Sequence, residues 1–128
     1  MASDALPTQV RHFLGQYIKS VEQLEILLLL ASSPEKEWTI AGVYEVIRSS
    51  ERSVATRLEE FTEQGFFQSQ PGPPATYRFA PKNEMLRAGV AETAKAYQER
   101  RVKVVEAIFS PDLDPLQSFS DAFKFRNS

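Results

Sequence analysis

The segment Pro71-Gly72-Pro73-Pro74-Ala75 constrains this chain more than any other. Its prolines lack amide donors and hold φ near one value, so neither a helix nor an interior strand can pass through it. On either side lie Phe66-Phe67-Gln68-Ser69-Gln70 and Thr76-Tyr77-Arg78-Phe79-Ala80, short segments with aromatic residues and no helical period. The spacing predicts a β-hairpin with a stiff, mostly uncharged tip. The chain ahead of the hairpin reads as helices.

A first helix is predicted from about Thr8 to Ile18, because Val10, Phe13, Leu14, Tyr17 and Ile18 recur at the spacing of one buried stripe. Ser20-Val21-Glu22-Gln23 then has the form of a capping box, with the serine hydroxyl accepting from the Gln23 amide and the Gln23 side chain reaching back to the Ser20 amide. A second helix follows from Val21 to about Ser32. Its Leu24, Ile26, Leu27, Leu28, Leu29 and Leu30 are apolar around most of the circumference, which marks it as the hub of the core. After the charged Glu35-Lys36-Glu37 loop, Trp38-Thr39-Ile40 reads as a short extended piece, with Thr39 placed to cap a helix over residues 41–48. Ser49-Ser50-Glu51 breaks that helix and supplies the cap of the next, about Glu51 to Gln64. There Val54, Leu58 and Phe61 share one face, and Gly65 is the natural stop.

From about Asn83 to Phe109 the period is helical again, with Leu86, Val90, Ala94, Tyr97, Val104, Val105 and Ile108 as the apolar positions. Read as one rod, this helix is roughly 40 Å long at ~1.5 Å per residue, more than a core of this size covers. A short terminal helix is expected after Asp114-Pro115, with Leu116, Phe119 and Phe123 on one face. The expectation is a single domain over residues 1–128: a core with its leading helix at 8–81 and the long and terminal helices at 82–128.

Composition narrows the function. The chain has 128 residues, no cysteine and one histidine, which excludes disulfides, thiolate catalysis and Cys-based metal sites. His12 stands without a companion ligand, so no metal and no cofactor are expected. No Gly-rich phosphate loop, HExxH or GxSxG is present, and adjacent carboxylates such as Glu59-Glu60 do not face one substrate, so an enzyme is not expected. The start of the chain lacks the basic and apolar regions of a signal peptide, and the longest apolar run is far short of the ~18 residues that read as a membrane span. These readings predict a cytoplasmic protein. The formal net charge of −2 argues against binding nucleic acid by diffuse attraction, but not against a local basic face.

The order helix, helix, short strand, helix, turn, helix, hairpin resembles the winged helix-turn-helix of bacterial transcriptional regulators of the MarR-like and PadR-like groups. The resemblance covers about Ser20 to Pro81. It rests on Trp38-Thr39-Ile40-Ala41-Gly42-Val43-Tyr44-Glu45-Val46, on Ser53-Val54-Ala55-Thr56-Arg57-Leu58-Glu59-Glu60-Phe61, and on Gln64-Gly65-Phe66-Phe67. It implies a mainly α fold: a winged helix-turn-helix with a two-stranded wing, flanked by an N-terminal helix, a long C-terminal helix and a short terminal helix. It also implies a homodimer that binds double-stranded DNA, with the flanking helices making the dimer. Leu86, Val90, Tyr97, Val104, Ile108, Phe119 and Phe123 would then form the interface.

On this reading Arg52, Ser53, Thr56 and Arg57, near the start of the recognition helix, face the major groove, and Arg78 on the returning wing strand meets the backbone. Arginine can bond guanine with two donors, while serine and threonine suit phosphates or bases. Against it, Glu51 to Gly65 holds two arginines and four glutamates. The alternative is a winged helix that grips a protein partner and binds no DNA. A third option, a regulator that senses a small molecule, requires a cavity between the winged core and the flanking helices. Glu99-Arg100-Arg101-Val102-Lys103, the most basic stretch, reads as a solvated helix face with i,i+4 pairing.

Overall fold

A computed structural model describes residues 5–109. The elements follow as α1 (Thr8–Tyr17), α2 (Val21–Ser32), α3 (Ile40–Ile47), α4 (Glu51–Gln64), β1 (Phe67–Gln70), β2 (Thr76–Phe79), α5 (Glu84–Glu99) and α6 (Arg101–Phe109). The fold is mainly helical, with an antiparallel pair in which Phe67 faces Phe79 and Gln68 faces Arg78.

Side-chain caps start four of the helices. Ser20, Thr39, Ser50 and Asn83 accept from the amides of Gln23, Gly42, Ser53 and Leu86, each filling one donor that the first helical turn leaves open. The box at α2 differs from expectation in one bond: the Gln23 side chain accepts from the Lys19 amide, one residue before Ser20. At the far end of α4, Gly65 lies at φ 96°, and the amides of Gly65 and Phe66 return to the carbonyls of Thr62 and Phe61 at 3.1 and 2.9 Å. This left-handed stop turns the chain into the wing and seats Phe66 in the core.

Leu24, Ile26, Leu27 and Leu30 make α2 the buried axis, as its all-round apolar pattern predicts. Phe13 and Tyr17 of α1 pack edge-on against Phe66, which meets Phe61 in the same way, with ring centroids 5.0 to 5.8 Å apart. The hairpin has a further rung: Trp38 and Tyr77 exchange both backbone hydrogen bonds at 2.8 Å. The segment before α3 is thereby fastened to the wing.

The single long helix is not formed. Arg100, at φ −140° and ψ 58°, closes α5 with its amide on Ala96 O and opens α6 with its carbonyl on Val104 N. The chain turns there, and α6 packs on α1 and α5. Leu86, Val90, Val104 and Ile108, expected at a dimer interface, are buried within this one chain, so their burial requires no second copy. Tyr97 is half-buried and donates to Glu25. Phe119 and Phe123 lie outside the described residues. α1 approaches α5 closely because Gly89 has no side chain: a Cβ there would stand 2.6 Å from the Phe13 ring.

Candidate nucleic-acid interface

Helix α4 follows α3 through the tight turn Arg48-Ser49-Ser50, and the turn is built from two local devices. Arg48 takes the left-handed conformation at φ 66°, held by its amide on Tyr44 O at 2.8 Å, with its guanidinium over the Tyr44 ring. Ser50 then caps α4 through the Ser53 amide at 3.0 Å.

The buried side of α4 is Val54, Leu58 and Phe61. Its outer stripe, at spacings of four, three and four residues, is Arg52, Thr56, Glu59 and Glu63, all exposed. The stripe is basic and neutral in its first half and acidic in its second. Arg52 and Thr56 are thus on the exposed face, and the Thr56 hydroxyl donates to Arg52 O at 3.1 Å.

Ser53 and Arg57 stand elsewhere. Both turn toward α2 and meet Glu22. Its carboxylate accepts from Ser53 Oγ at 2.8 Å, from Arg57 Nε at 3.3 Å and from Ser49 Oγ. Arg57 reaches a second carboxylate as well, donating from Nη1 to Glu60 at 2.8 Å, and Gln23 donates to that same Glu60 oxygen at 3.4 Å. Burial pushes the Glu22 carboxyl up, but three side-chain hydrogen bonds and the Arg57 charge outweigh it and hold the group below its ordinary value. For Arg57, burial acts downward and the two carboxylates prevail, raising its value.

Two of the four glutamates that set α4 against DNA have internal partners. Glu60 serves Arg57, and Glu59 accepts from the Tyr77 hydroxyl of the wing at 3.4 Å. Burial first, and Glu59 second, push the Tyr77 phenol up. Glu22 was missed as a site residue, since nothing in the sequence ties it to positions some 30 residues later. The one available signal was its place at the second residue of the capped hub helix.

On the wing, Arg78 donates to Gln68 at 2.8 Å across the pair. It lines a shallow polar cleft with Lys82 of the following loop and Arg87 of α5. A second cleft, about 510 Å³, lies between α2, α3 and α5 and is lined largely by Leu28, Leu29, Ile47, Val90, Ala94 and Tyr97. Among the described residues no group of three or more His, Cys, Asp or Glu side chains could hold a metal ion. No described helix is long and apolar enough to cross a membrane.

Comparison with solved structures fixes the architecture. The chain superimposes on S. aureus MepR, in a mutant form bound to oligodeoxyribonucleotide, with a TM-score of 0.56 at 10% identity, over 93% of this chain and 87% of that one. The fold is that of a MarR-type winged helix. B. bronchiseptica BpsR, whose DNA binding is described as regulated by 6-hydroxynicotinic acid, gives 0.54 at 14% identity over 92% and 83% of the two chains. The reduced form of MarR from E. coli gives 0.51 at 11% identity over 93% and 84%. No protein-family model matches the sequence, and no curated protein matches it.

Proposed function

We propose that this chain is a transcriptional regulator that binds double-stranded DNA as a homodimer, laying α4 in the major groove and the wing against the backbone. The observation that carries this reading is the outer stripe of α4, whose first half presents Arg52 and Thr56 as exposed side chains. The first turns of a recognition helix are where base edges are met. Arg78 on the wing and Lys82 just after it add positive charge for the backbone to meet. The likeness to an oligodeoxyribonucleotide-bound MepR supports the same reading. For the homodimer, Met85, Val102 and Phe109 of α5 and α6 are exposed apolar side chains that a second copy would cover.

Titration of mixed-sequence duplex DNA at low and moderate salt tests the proposal. Binding should fall steeply with salt, and Arg52→Ala should weaken it and shallow the dependence of log K on log salt by up to about 0.9. Absence of binding at low salt would remove the DNA reading. The protein-interaction module would then stand, which the acidic second half of the stripe, Glu59 and Glu63, favours. Light scattering across a concentration series tests the homodimer, with a Phe109→Glu, Val102→Glu variant expected to stay monomeric.

A further inference from the structure

The groups that a sequence reading assigns to DNA divide in two: Arg52 and Thr56 point outward, while Ser53 and Arg57 are engaged by Glu22 of α2. We propose that Glu22 is the positioning residue of the recognition helix, and that Arg57 serves DNA binding through Glu22 without contacting DNA. This rests on the DNA-binding reading above.

The geometry is that of a clamp. One carboxylate receives three donors from two successive pieces of chain: Ser49 in the turn, then Ser53 and Arg57 one and two turns into α4. Burial of Val54, Leu58 and Phe61 decides which face of α4 turns to the core, and small adjustments of rotation within that packing remain for directional contacts to set. Hydrogen bonds of defined direction on the flank of α4, spread over its first two turns, fix that rotation. Rotation is the variable that decides whether Arg52 and Thr56 meet base edges. Glu60 completes the arrangement by occupying the other face of the Arg57 fork at 2.8 Å. Two carboxylates hold Arg57 at Nε and Nη1 and its side chain is 27% exposed, so swinging out toward a phosphate would strain or break ion pairs that are already made.

Duplex titration over a salt series with Glu22→Gln, Glu22→Ala, Arg57→Gln and Arg52→Ala separates the roles, with thermal melts confirming that each variant folds. Loss of helix positioning predicts that Arg57→Gln and Glu22→Ala each weaken binding about 5- to 50-fold while the salt slope stays at the wild-type value. Glu22→Gln, which keeps an acceptor for the serines, should fall between wild type and Glu22→Ala. Arg52→Ala should lower the slope, as a direct phosphate or base contact does. A slope that falls for Arg57→Gln as it does for Arg52→Ala, or tighter binding by Glu22→Ala, would overturn the proposal and make Glu22 a competitor for a DNA-contacting arginine. If the wild-type chain binds no duplex, the DNA reading fails separately. Amide hydrogen exchange then decides on Glu22: at least tenfold faster exchange at Ser53 and Val54 in Glu22→Ala keeps it as the clamp on α4, and unchanged exchange removes it.

Discussion

Helix α2 holds its two neighbours in different ways. Toward α4 it extends Glu22, a half-buried carboxylate with three donors on it. Toward α5 and α6 it extends Glu25, one turn further on, which accepts from Tyr97 at 3.2 Å and meets Arg101 at 3.5 Å. The second arrangement lies open to water, with the Arg101 side chain 66% exposed, and solvent screening weakens it. What fastens α6 is apolar: Val104 and Ile108 sit in the core. The difference separates orientation from adhesion. Helix α4, which on the proposed function must present side chains at a set angle, adds directional bonds to its burial, and α6, which closes the core, is held by burial.

The largest effect should come from the apolar side. Ile108→Ala is expected to cost ~3 kcal/mol in urea unfolding, against under about 0.5 kcal/mol for the exposed Val102→Ala on the same helix. Equal losses would mean that α6 does not pack as described. Next, Gly89→Ala should destabilise by ~1–3 kcal/mol by driving α1 from α5, read as a lowered midpoint at unchanged m-value.

Glu22→Gln should lower stability by about 1 kcal/mol at neutral pH, the scale of a part-buried charged hydrogen-bond set. The Glu22 carboxyl titrates below its ordinary value, so its contribution is complete above the unfolded value near 4.5 and fades as pH falls through the folded one. Melting temperatures of wild type and variant should therefore converge as pH drops from 7 toward 3. A constant gap would show that the lost interaction is not electrostatic. Smallest of all, Arg101→Ala should change stability by less than about 0.5 kcal/mol, and a larger loss would close the gap between the two junctions.

The parts of this fold that were legible are those written in neighbouring residues. Ser20, Thr39 and Ser50 announce their helices within three positions, Gly65 marks the stop of α4, and the prolines around Gly72 isolate the hairpin. The break at Arg100 was not legible, because neither glycine nor proline marks it. The apolar spacing also runs unbroken from Tyr97 to Val104 and Ile108, so a straight rod and a folded pair of helices share one pattern. At the site, exposure along α4 was readable for Arg52 and Thr56. The destination of Ser53 and Arg57 was not, since their acceptor belongs to another helix. The net acidity of α4 is a similar case: Glu59 and Glu60 are engaged within the chain, and counting charges along a helix does not say which of them are already spoken for.

The rung between Trp38 and Tyr77 places the only tryptophan of the chain against the outer half of the wing, one pair from its last, 7% exposed and with the Lys36 ammonium 3.9 Å from its ring centroid. The molecule thus carries its own optical probe at the joint between hairpin and helices. Its emission should shift to the red when that joint opens, reporting wing release apart from the loss of helix that circular dichroism follows.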